Sequence, residues 1–424
     1  MTEAGRTRAG DIQTMFWLQQ MRRPERCSAN IPALVRVTGA FDEDRFRVAL
    51  ERIMQRHEIF RTSFAWDGAQ LQQVVYEKVD VPLFKADPVS GSELDERTST
   101  LNMHRFRHDE TPLFRVTLLE SGDGDRFVHA LMHHSIYDLH TQSLFQSELA
   151  GAWRDERLEP VAAHYVDFAD AELVWKSSAA AARQREFWRR RVAGFPVVPH
   201  PEPRGPADGA SVDEPPGSSY LELDPDLAER VRDLSAERGW TPFLVLGACY
   251  QIALADWFRV DDFGIGVPFT NRRNRSVAAV AGCCMNVLPI RATIAATDSL
   301  ETIVARFRRE MLLGHRNQEL SILEVMSLAG RPLYRFGFTT DAPLELDLDG
   351  CVCHPVDCER PGALVLFCHL YANRPDQTIR IRADYDGLKV GRADAGAFCS
   401  HLAAVVDRAV ESPRASLAEL GIGR

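Results

Sequence analysis

The sequence predicts an α+β fold in two halves, and three observations lead to this prediction. The chain has 424 residues, more than one hydrophobic core usually organises. Segments with the period of strands and segments with the period of helices follow one another in mixed order, as in layered α+β folds. Between residues 195 and 219, seven prolines and three glycines exclude a helix or a central strand. We therefore place a surface connection near the join of the two halves.

The first half contains clear strand and helix patterns. Runs of apolar residues at 33–37, 113–119 and 127–133 indicate strands. Apolar residues at helical spacing in 42–57 and 141–153 indicate helices. The first ten residues show neither pattern, and we expect them to be mobile.

The second half begins with a well-marked helix. Asp224 is a candidate N-cap, Pro225 suits the first turn, and Gly239 suits the position past the last turn. A second, more apolar helix follows from Thr241, and we expect it to be buried. Further strands are predicted at 263–267, 363–371 and 379–384, and further helices at 300–313 and 391–411.

Composition and charge exclude several classes of function. The formal net charge is −10 and no basic stripe is visible, which disfavours nucleic-acid binding. The hydrophobic fraction of 45% and the charged fraction of 26% are ordinary for a globular protein. The start of the chain has no apolar run, and no stretch reaches the ~18–20 apolar residues that span a bilayer. We therefore expect a cytoplasmic protein that does not enter a membrane.

Three of the nine cysteines and one histidine form a group of potential metal ligands. Cys351, Cys353, His354 and Cys358 are close in sequence, but their spacing differs from the Cys-x2-Cys pairs of structural zinc sites. Structural thiols are the favoured interpretation, and no metal site is predicted.

The strongest local signal runs from Met132 to Asp138 and contains two adjacent histidines at the end of a strand. Because side chains alternate along a strand, His134 continues its apolar face and His133 the opposite face. A neutral imidazole on the drier side has a pKa near working pH and suits general-base chemistry. Asp138 can cap the following helix or pair with a buried arginine. Paired histidines at strand ends are often structural, so these residues alone leave both interpretations open.

Several stretches along the chain match motifs that occur in the same order in one protein family. They are residues 13–18 (an opening motif), 56–62 (RHExLRT), 112–115 (PLxR), 133–139 (HHxxxDG), 165–169 (YxDYA), 187–188 (YW), 266–272 (a strand ending in Asn-Arg) and 282–291 (GxxxNxLPLR). Together they resemble the condensation-domain family of nonribosomal peptide synthetases, within the chloramphenicol-acetyltransferase-like superfamily.

The resemblance implies both a fold and a reaction. The fold is a V-shaped pseudo-dimer of two acetyltransferase-like subdomains, residues 1–175 and 176–424, each a mixed sheet with flanking helices. The active site is a tunnel between them, where an acyl or aminoacyl thioester meets an amine or alcohol. The donor rides on the phosphopantetheine arm of an acyl or peptidyl carrier protein, supplied in trans to a free-standing enzyme. No cofactor is expected to be bound by the chain itself.

The resemblance also assigns roles to individual residues. His134 is the catalytic imidazole, and His133 supports the fold. Asp138 pairs with Arg272 and fixes the loop that presents His134. The remaining candidates, along the tunnel and its turn, are Ser135, Tyr137, Leu139 and Asn286. Leu139 departs from the family pattern, which has glycine there, and puts catalytic competence in question.

Three functions remain open at the level of sequence. The leading hypothesis is an amide- or ester-forming condensation enzyme of natural-product biosynthesis. The second is a catalytically inactive condensation-like domain that recruits a partner to a carrier-bound intermediate. The third is an acyltransferase that uses free coenzyme A thioesters. Basic spots at 189–191 and 306–309 could receive an acidic carrier protein, but a solvated helix face is the simpler interpretation.

Overall fold

The computed structural model describes residues 2–122, 124–196, 214–372 and 378–422. Within these ranges the helices are α1 (Asp11–Arg22), α2 (Glu43–Arg56), α3 (Leu94–Asn102), α4 (Leu139–Trp153), α5 (Tyr165–Lys176), α6 (Ala179–Ala193), α7 (Pro225–Arg238), α8 (Pro242–Phe258), α9 (Leu300–Arg316), α10 (Ile322–Ala329) and α11 (Arg392–Glu411). The strands are β1 (Glu3–Arg8), β2 (Asn30–Gly39), β3 (Thr62–Trp66), β4 (Leu71–Tyr76), β5 (Leu83–Lys85), β6 (Phe114–Glu120), β7 (Arg126–His133), β8 (Gly217–Glu222), β9 (Asp262–Phe269), β10 (Asn286–Thr293), β11 (Phe336–Thr340), β12 (Cys351–Val356), β13 (Leu366–Tyr371) and β14 (Arg380–Tyr385). The α+β class is confirmed. The proline-rich connection predicted at 195–219 lies mostly outside the described residues.

The chain divides into two compact units that differ in part from the predicted halves. The first unit is Met1–Ala181 with Thr270–Met285 and Pro343–Pro361, and the remaining segments form the second. The sequence-based division at 175/176 placed residues 270–285 and 343–361 in the second half. The structure places residues 343–361 in the first unit because β12 hydrogen-bonds antiparallel to β2 along its whole length. It places residues 270–285 there through hydrogen bonds of Arg272 and Cys284 to Asp138. The pairing of β12 with β2 joins residues more than 300 positions apart, which no local pattern can reveal.

The first unit is built around a five-stranded sheet in the order β12-β2-β7-β6-β5. Its pairs are antiparallel except β5 with β6, which are parallel. Strand β7 lies between β2 and β6, and every residue after Arg126 is buried. A strand that is covered on both faces reads as a continuous apolar run. The histidine pair therefore leaves the sheet from its most protected strand.

Helices α2 and α4 pack together in the core of this unit. Asp42 caps α2, because its carboxylate accepts from the Arg45 amide at 3.0 Å. Such a cap contributes about 1 kcal/mol. Phe46 and Leu50 of α2 are buried, and each apolar side chain of this kind contributes roughly 1.5–3 kcal/mol. A cap and apolar packing thus hold α2 against α4, the helix that follows the histidine pair.

The prediction that the first ten residues are mobile is wrong. Within them Glu3–Arg8 forms β1, which pairs antiparallel with β4 in a three-stranded sheet of order β1-β4-β3. The strand is polar and largely accessible, so it carries no hydrophobic alternation. Its backbone hydrogen bonds to β4 hold it, and these bonds do not depend on side-chain pattern.

The second unit contains a six-stranded mixed sheet in the order β10-β9-β11-β13-β14-β8. Strand β11 runs parallel to β9 and β13, and the other pairs are antiparallel. Helix α7 begins and ends where predicted. Asp224 caps it by accepting from the Asp226 amide at 3.0 Å, and Gly239 ends it with a φ of +62°. Helix α8 is almost wholly buried, as its apolar sequence predicts.

No single helix among residues 2–122, 124–196, 214–372 and 378–422 is long and apolar enough to cross a bilayer. Helices α7 and α8 pass that test only as a pair, and they are bent by 113°.

Candidate active site

Strand β7 delivers the two histidines to a short 3-10 turn that follows it, His134–Ile136. His133 is the last strand residue and pairs with Asn30 of β2. The backbone amide of His134 donates to the carbonyl of Ala29 at 2.8 Å. The main chain that leads into the imidazole is therefore anchored to β2 and to the residue before it.

The imidazole of His134 is held in one tautomer. Its Nδ1 lies 2.8 Å from the carbonyl oxygen of Tyr137, and a carbonyl can only accept, so Nδ1 carries the proton. One ring face stacks on Phe16, with centroids 4.5 Å apart and planes 16° from parallel. Nε2 then holds the lone pair, and it has no hydrogen-bond partner in the part of the chain that the structure describes. This nitrogen can accept a proton from a bound molecule.

The surroundings of His134 keep the ring neutral. Burial, with a smaller contribution from the positive charge of Arg360, lowers the pKa of His134 to about 4 from its ordinary value near 6.5. This pKa is lower than the value near working pH that the sequence suggested, because the ring is buried more deeply, and at pH 7 the ring is present in its proton-accepting form.

His133 differs from His134 in its hydrogen bonds, because neither of its ring nitrogens is left open. Its ring is fully buried, and Nδ1 accepts from the Ser135 amide at 3.2 Å and lies 2.7 Å from the Ser135 hydroxyl. Nε2 must then carry the proton and donate to the Gln20 side chain at 2.7 Å. Burial lowers the pKa of His133 well below its ordinary value. Both ring nitrogens are occupied, so His133 and Ser135 hold the turn.

Asp138 performs both tasks that its position in the sequence suggested. Its carboxylate accepts from the Thr141 amide at 2.9 Å and so caps α4. It also forms an ion pair with Arg272, whose Nη2 lies 3.0 and 3.1 Å from the two carboxylate oxygens. Both side chains are almost completely buried, at 5% and 6% exposure. The capped helix and the arginine are thus joined behind the histidine turn.

Arg272 extends this network into the loop that carries Cys283. It donates to the carbonyls of Val280 and Gly282 at 2.7 and 3.0 Å, while the Cys284 amide donates to Asp138 at 3.0 Å. The loop places the Cys283 sulfur 3.8 Å from Nδ1 of His134. Burial raises the pKa of that thiol well above its ordinary value, so it is neutral and not a nucleophile.

Gly282 is required by close packing. Its φ is +133°, and a Cβ there would lie 2.2 Å from the ring of Tyr165. Tyr165 in turn donates its hydroxyl to the Cys283 carbonyl at 2.7 Å. The glycine of the GxxxN stretch therefore lets the loop approach the start of α5.

The other predicted site residues occupy different surroundings. Tyr137 is buried and contributes its backbone carbonyl to His134. Leu139 is the first residue of α4 and is 40% exposed, so its helical backbone does not need glycine. Asn286 belongs to the second unit, where its side chain bonds the backbone of Gln318, Leu320 and Ile322 within 3.0 Å. Its contacts thus serve the packing of that unit.

The cysteine-rich stretch is dispersed. Cys351 and Cys353 share one face of the edge strand β12, and His354 is exposed on the other. Cys358 is buried beside the Asn102 amide at 3.3 Å. Among the described residues no three His, Cys, Asp or Glu side chains are arranged to hold a metal ion.

The comparisons with known proteins bear on this arrangement. The profile of the family described as Condensation domain matches residues 5–329 of the chain. The chain belongs to the condensation-domain family. This condensation domain is 28% identical over 301 residues to tyrocidine synthase 3 of Brevibacillus parabrevis. That alignment covers 69% of this chain and 4% of the synthase.

Solved structures confirm the fold. The first condensation domain of the calcium-dependent antibiotic synthetase superposes with a TM-score of 0.85 at 19% identity, over 98% of each chain. The X-domain from teicoplanin biosynthesis superposes with a TM-score of 0.83 at 19% identity, over 100% of this chain and 98% of that one.

Sequence reasoning missed three interactions of His134 in this condensation domain. Phe16 was noted only as part of the opening motif, and its stacking on the ring joins residues far apart in sequence. Arg360 follows β12 and reaches this unit only because that strand pairs with β2. The Tyr137 carbonyl is a backbone group, which a side-chain motif does not report.

Proposed function

We propose that this condensation domain transfers an acyl or aminoacyl group from a carrier-bound thioester to an amine or alcohol, with His134 as the catalytic residue. One observation carries the proposal: a neutral imidazole whose Nδ1 is fixed to the Tyr137 carbonyl and whose Nε2 is left as an acceptor. The substrate arm is the phosphopantetheine thioester of a carrier protein, and the product belongs to nonribosomal natural-product biosynthesis.

The reaction follows from the chemistry of that nitrogen. The acceptor nitrogen or oxygen attacks the thioester carbon, and its N–H or O–H points to Nε2 of His134. As the new bond forms, positive charge develops on the attacking atom, and Nε2 takes its proton. The tetrahedral intermediate then breaks its C–S bond, and the sulfur leaves with the proton returned by the imidazolium.

The protonation state of His134 fits proton transfer that follows attack. With a pKa of about 4 the ring is unprotonated throughout the physiological range, and no imidazole deprotonates a free amine. His134 accepts the proton after attack has given the nitrogen a positive charge and so made its N–H much more acidic. Much of the rate acceleration then comes from holding the two substrates together, because no covalent enzyme intermediate is needed.

The experiment offers the protein a panel of donors and acceptors and detects products by mass spectrometry. Donors are acyl and aminoacyl groups loaded on a separately purified carrier protein, and the same groups on coenzyme A. Acceptors are a set of amines and alcohols. His134→Ala is compared with His354→Ala, an exposed histidine on β12.

We expect product with the carrier-bound donor, a loss of about 10²–10⁴-fold in His134→Ala, and wild-type rates in His354→Ala. Equal rates in the two variants would refute the role of His134. Product formed from coenzyme A thioesters but not from carrier-bound donors would mean that the donor group is carried by free coenzyme A.

A second candidate function is recruitment of a partner protein to a carrier-bound intermediate. The exposed Leu139, in place of the family's glycine, is the observation that favours it, because an exposed apolar side chain can serve contact with another protein. Carrier retention in a pull-down, combined with no product from any donor and acceptor pair, would establish recruitment and exclude transfer.

A further inference from the structure

We infer that Phe16 is a positioning residue for the transfer reaction: its ring face holds the imidazole plane of His134 so that Nε2 is directed at the acceptor. This inference rests on the proposed role of His134 and adds a residue to which that proposal gives no part.

The contact is direct and has a defined geometry. The two ring centroids are 4.5 Å apart and the planes differ by 16°, so the rings stack face to face. Phe16 is 6% exposed, and its backbone is part of α1. The phenyl ring therefore has little freedom to move away from the imidazole.

The stack restrains the tilt of the imidazole plane, which the hydrogen bonds leave free. The His134 amide is fixed to Ala29 and the Nδ1 proton is fixed to the Tyr137 carbonyl, each at 2.8 Å. One hydrogen bond at the ring fixes one atom, and the ring plane can still tilt about it. A flat neighbour on the ring face blocks that tilt, so the three contacts together define the direction of Nε2.

The cluster around Phe16 separates this role from ordinary core packing. Phe16 packs with Ile12, Ala29 and Cys283 in a small apolar cluster that is distinct from the main core of the unit. Phe16 supplies an aromatic contact to His134, whereas Ile12 packs into the same cluster from the same helix. Ile12 is therefore a matched control for changes in cluster packing.

The backbone of α1 is itself anchored near its first turn. The Asp11 amide donates to Glu172 at 2.9 Å, and the Asp11 carboxylate pairs with Lys176 at 2.5 Å and with Arg8 at 2.7 Å. Residues of β1 and α5 thus fix the helix that presents Phe16. The phenyl ring has a rigid support, as a positioning group requires.

The test compares Phe16→Leu, Phe16→Ala and Ile12→Ala in the full chain. Leucine keeps an apolar side chain but removes the flat ring, and alanine also opens the ring face to water. We expect kcat to fall about tenfold in Phe16→Leu and further in Phe16→Ala, with KM for the thioester changed less than about twofold. Ile12→Ala should keep kcat within about twofold.

A second readout does not need turnover. Histidine-labelled protein is titrated by NMR from pH 8 to pH 5.5, and the His134 signal is assigned by its absence in His134→Ala. Wild type and Ile12→Ala should stay neutral over this range. In Phe16→Ala, water reaches the imidazole face and the pKa of His134 rises, so the signal should begin to titrate.

The outcomes separate this inference from the proposed function. Loss of transfer in His134→Ala, together with wild-type kcat and an unchanged His134 signal in both Phe16 variants, would overturn the positioning role alone. Equal losses of kcat in Ile12→Ala and Phe16→Leu would also overturn it, because cluster packing would then explain both. An active His134→Ala would instead overturn the proposed function.

Discussion

The ion pair between Asp138 and Arg272 offers the sharpest test of how the histidine turn is supported. Its atoms lie 3.0 Å apart, and the two side chains are only 5% and 6% exposed. The perturbation is a double-mutant cycle of Asp138→Ala, Arg272→Ala and the double variant. Each single change leaves one charge buried with its partner removed.

The structure sets the expected magnitudes. Removing one partner of a buried ion pair costs about 3–5 kcal/mol, because the other charge stays desolvated. Asp138→Ala also removes the cap of α4, which adds about 1 kcal/mol. The double variant buries no isolated charge, so its cost should fall short of the sum of the singles by about 2–3 kcal/mol.

The assay is urea unfolding followed by circular dichroism, with the exposed pair Arg230 and Asp407 as a matched control. Both control side chains are more than 40% exposed, so the same cycle there should show a coupling below about 1 kcal/mol. If the losses of unfolding free energy in Asp138→Ala and Arg272→Ala sum to the loss in the double variant within about 0.5 kcal/mol, the pair is refuted as a coupled unit.

Two further predictions concern acid stability and the departure at Leu139. Burial lowers the pKa of His108 and of His129 to about 4, so the unfolded chain binds protons below pH 6.5 that the folded chain does not bind until about pH 4. Stability should therefore fall by about 2 kcal/mol per imidazole between pH 7 and pH 5, measured by urea unfolding, and an unchanged midpoint would contradict the shifts. Leu139→Gly should cost about 0.5–1 kcal/mol, because Leu139 begins α4 with a helical backbone, and should leave the transfer rate within about twofold in a product assay. A several-fold faster rate would show that the leucine restricts the substrate.

The sequence predicted the fold wherever the deciding information was local. Asp224, Pro225 and Gly239 mark the ends of α7, because capping and backbone preference act within a few residues. Alternation along β7 predicted that His133 and His134 meet different surroundings, and their ring contacts differ accordingly. The order of family motifs added the superfamily and the pairing of Asp138 with Arg272, which periodicity alone could not provide.

The remaining features depend on contacts between distant segments. Strand β12 completes the sheet of the first unit by pairing with β2, and its residues carry no signal for that partner. Strand β1 is polar and is held by its backbone. Phe16 meets His134 only once α1 and β7 are both in place. Such contacts are set by topology, and a single sequence does not report topology.

The proposed transfer reaction depends on a neutral His134 whose proton is on Nδ1, and nitrogen NMR of histidine-labelled protein measures this directly. At pH 7 we predict that the signal assigned by comparison with His134→Ala shows a protonated Nδ1 and an unprotonated Nε2. A proton on Nε2, or a doubly protonated ring at that pH, would remove the acceptor and contradict the mechanism.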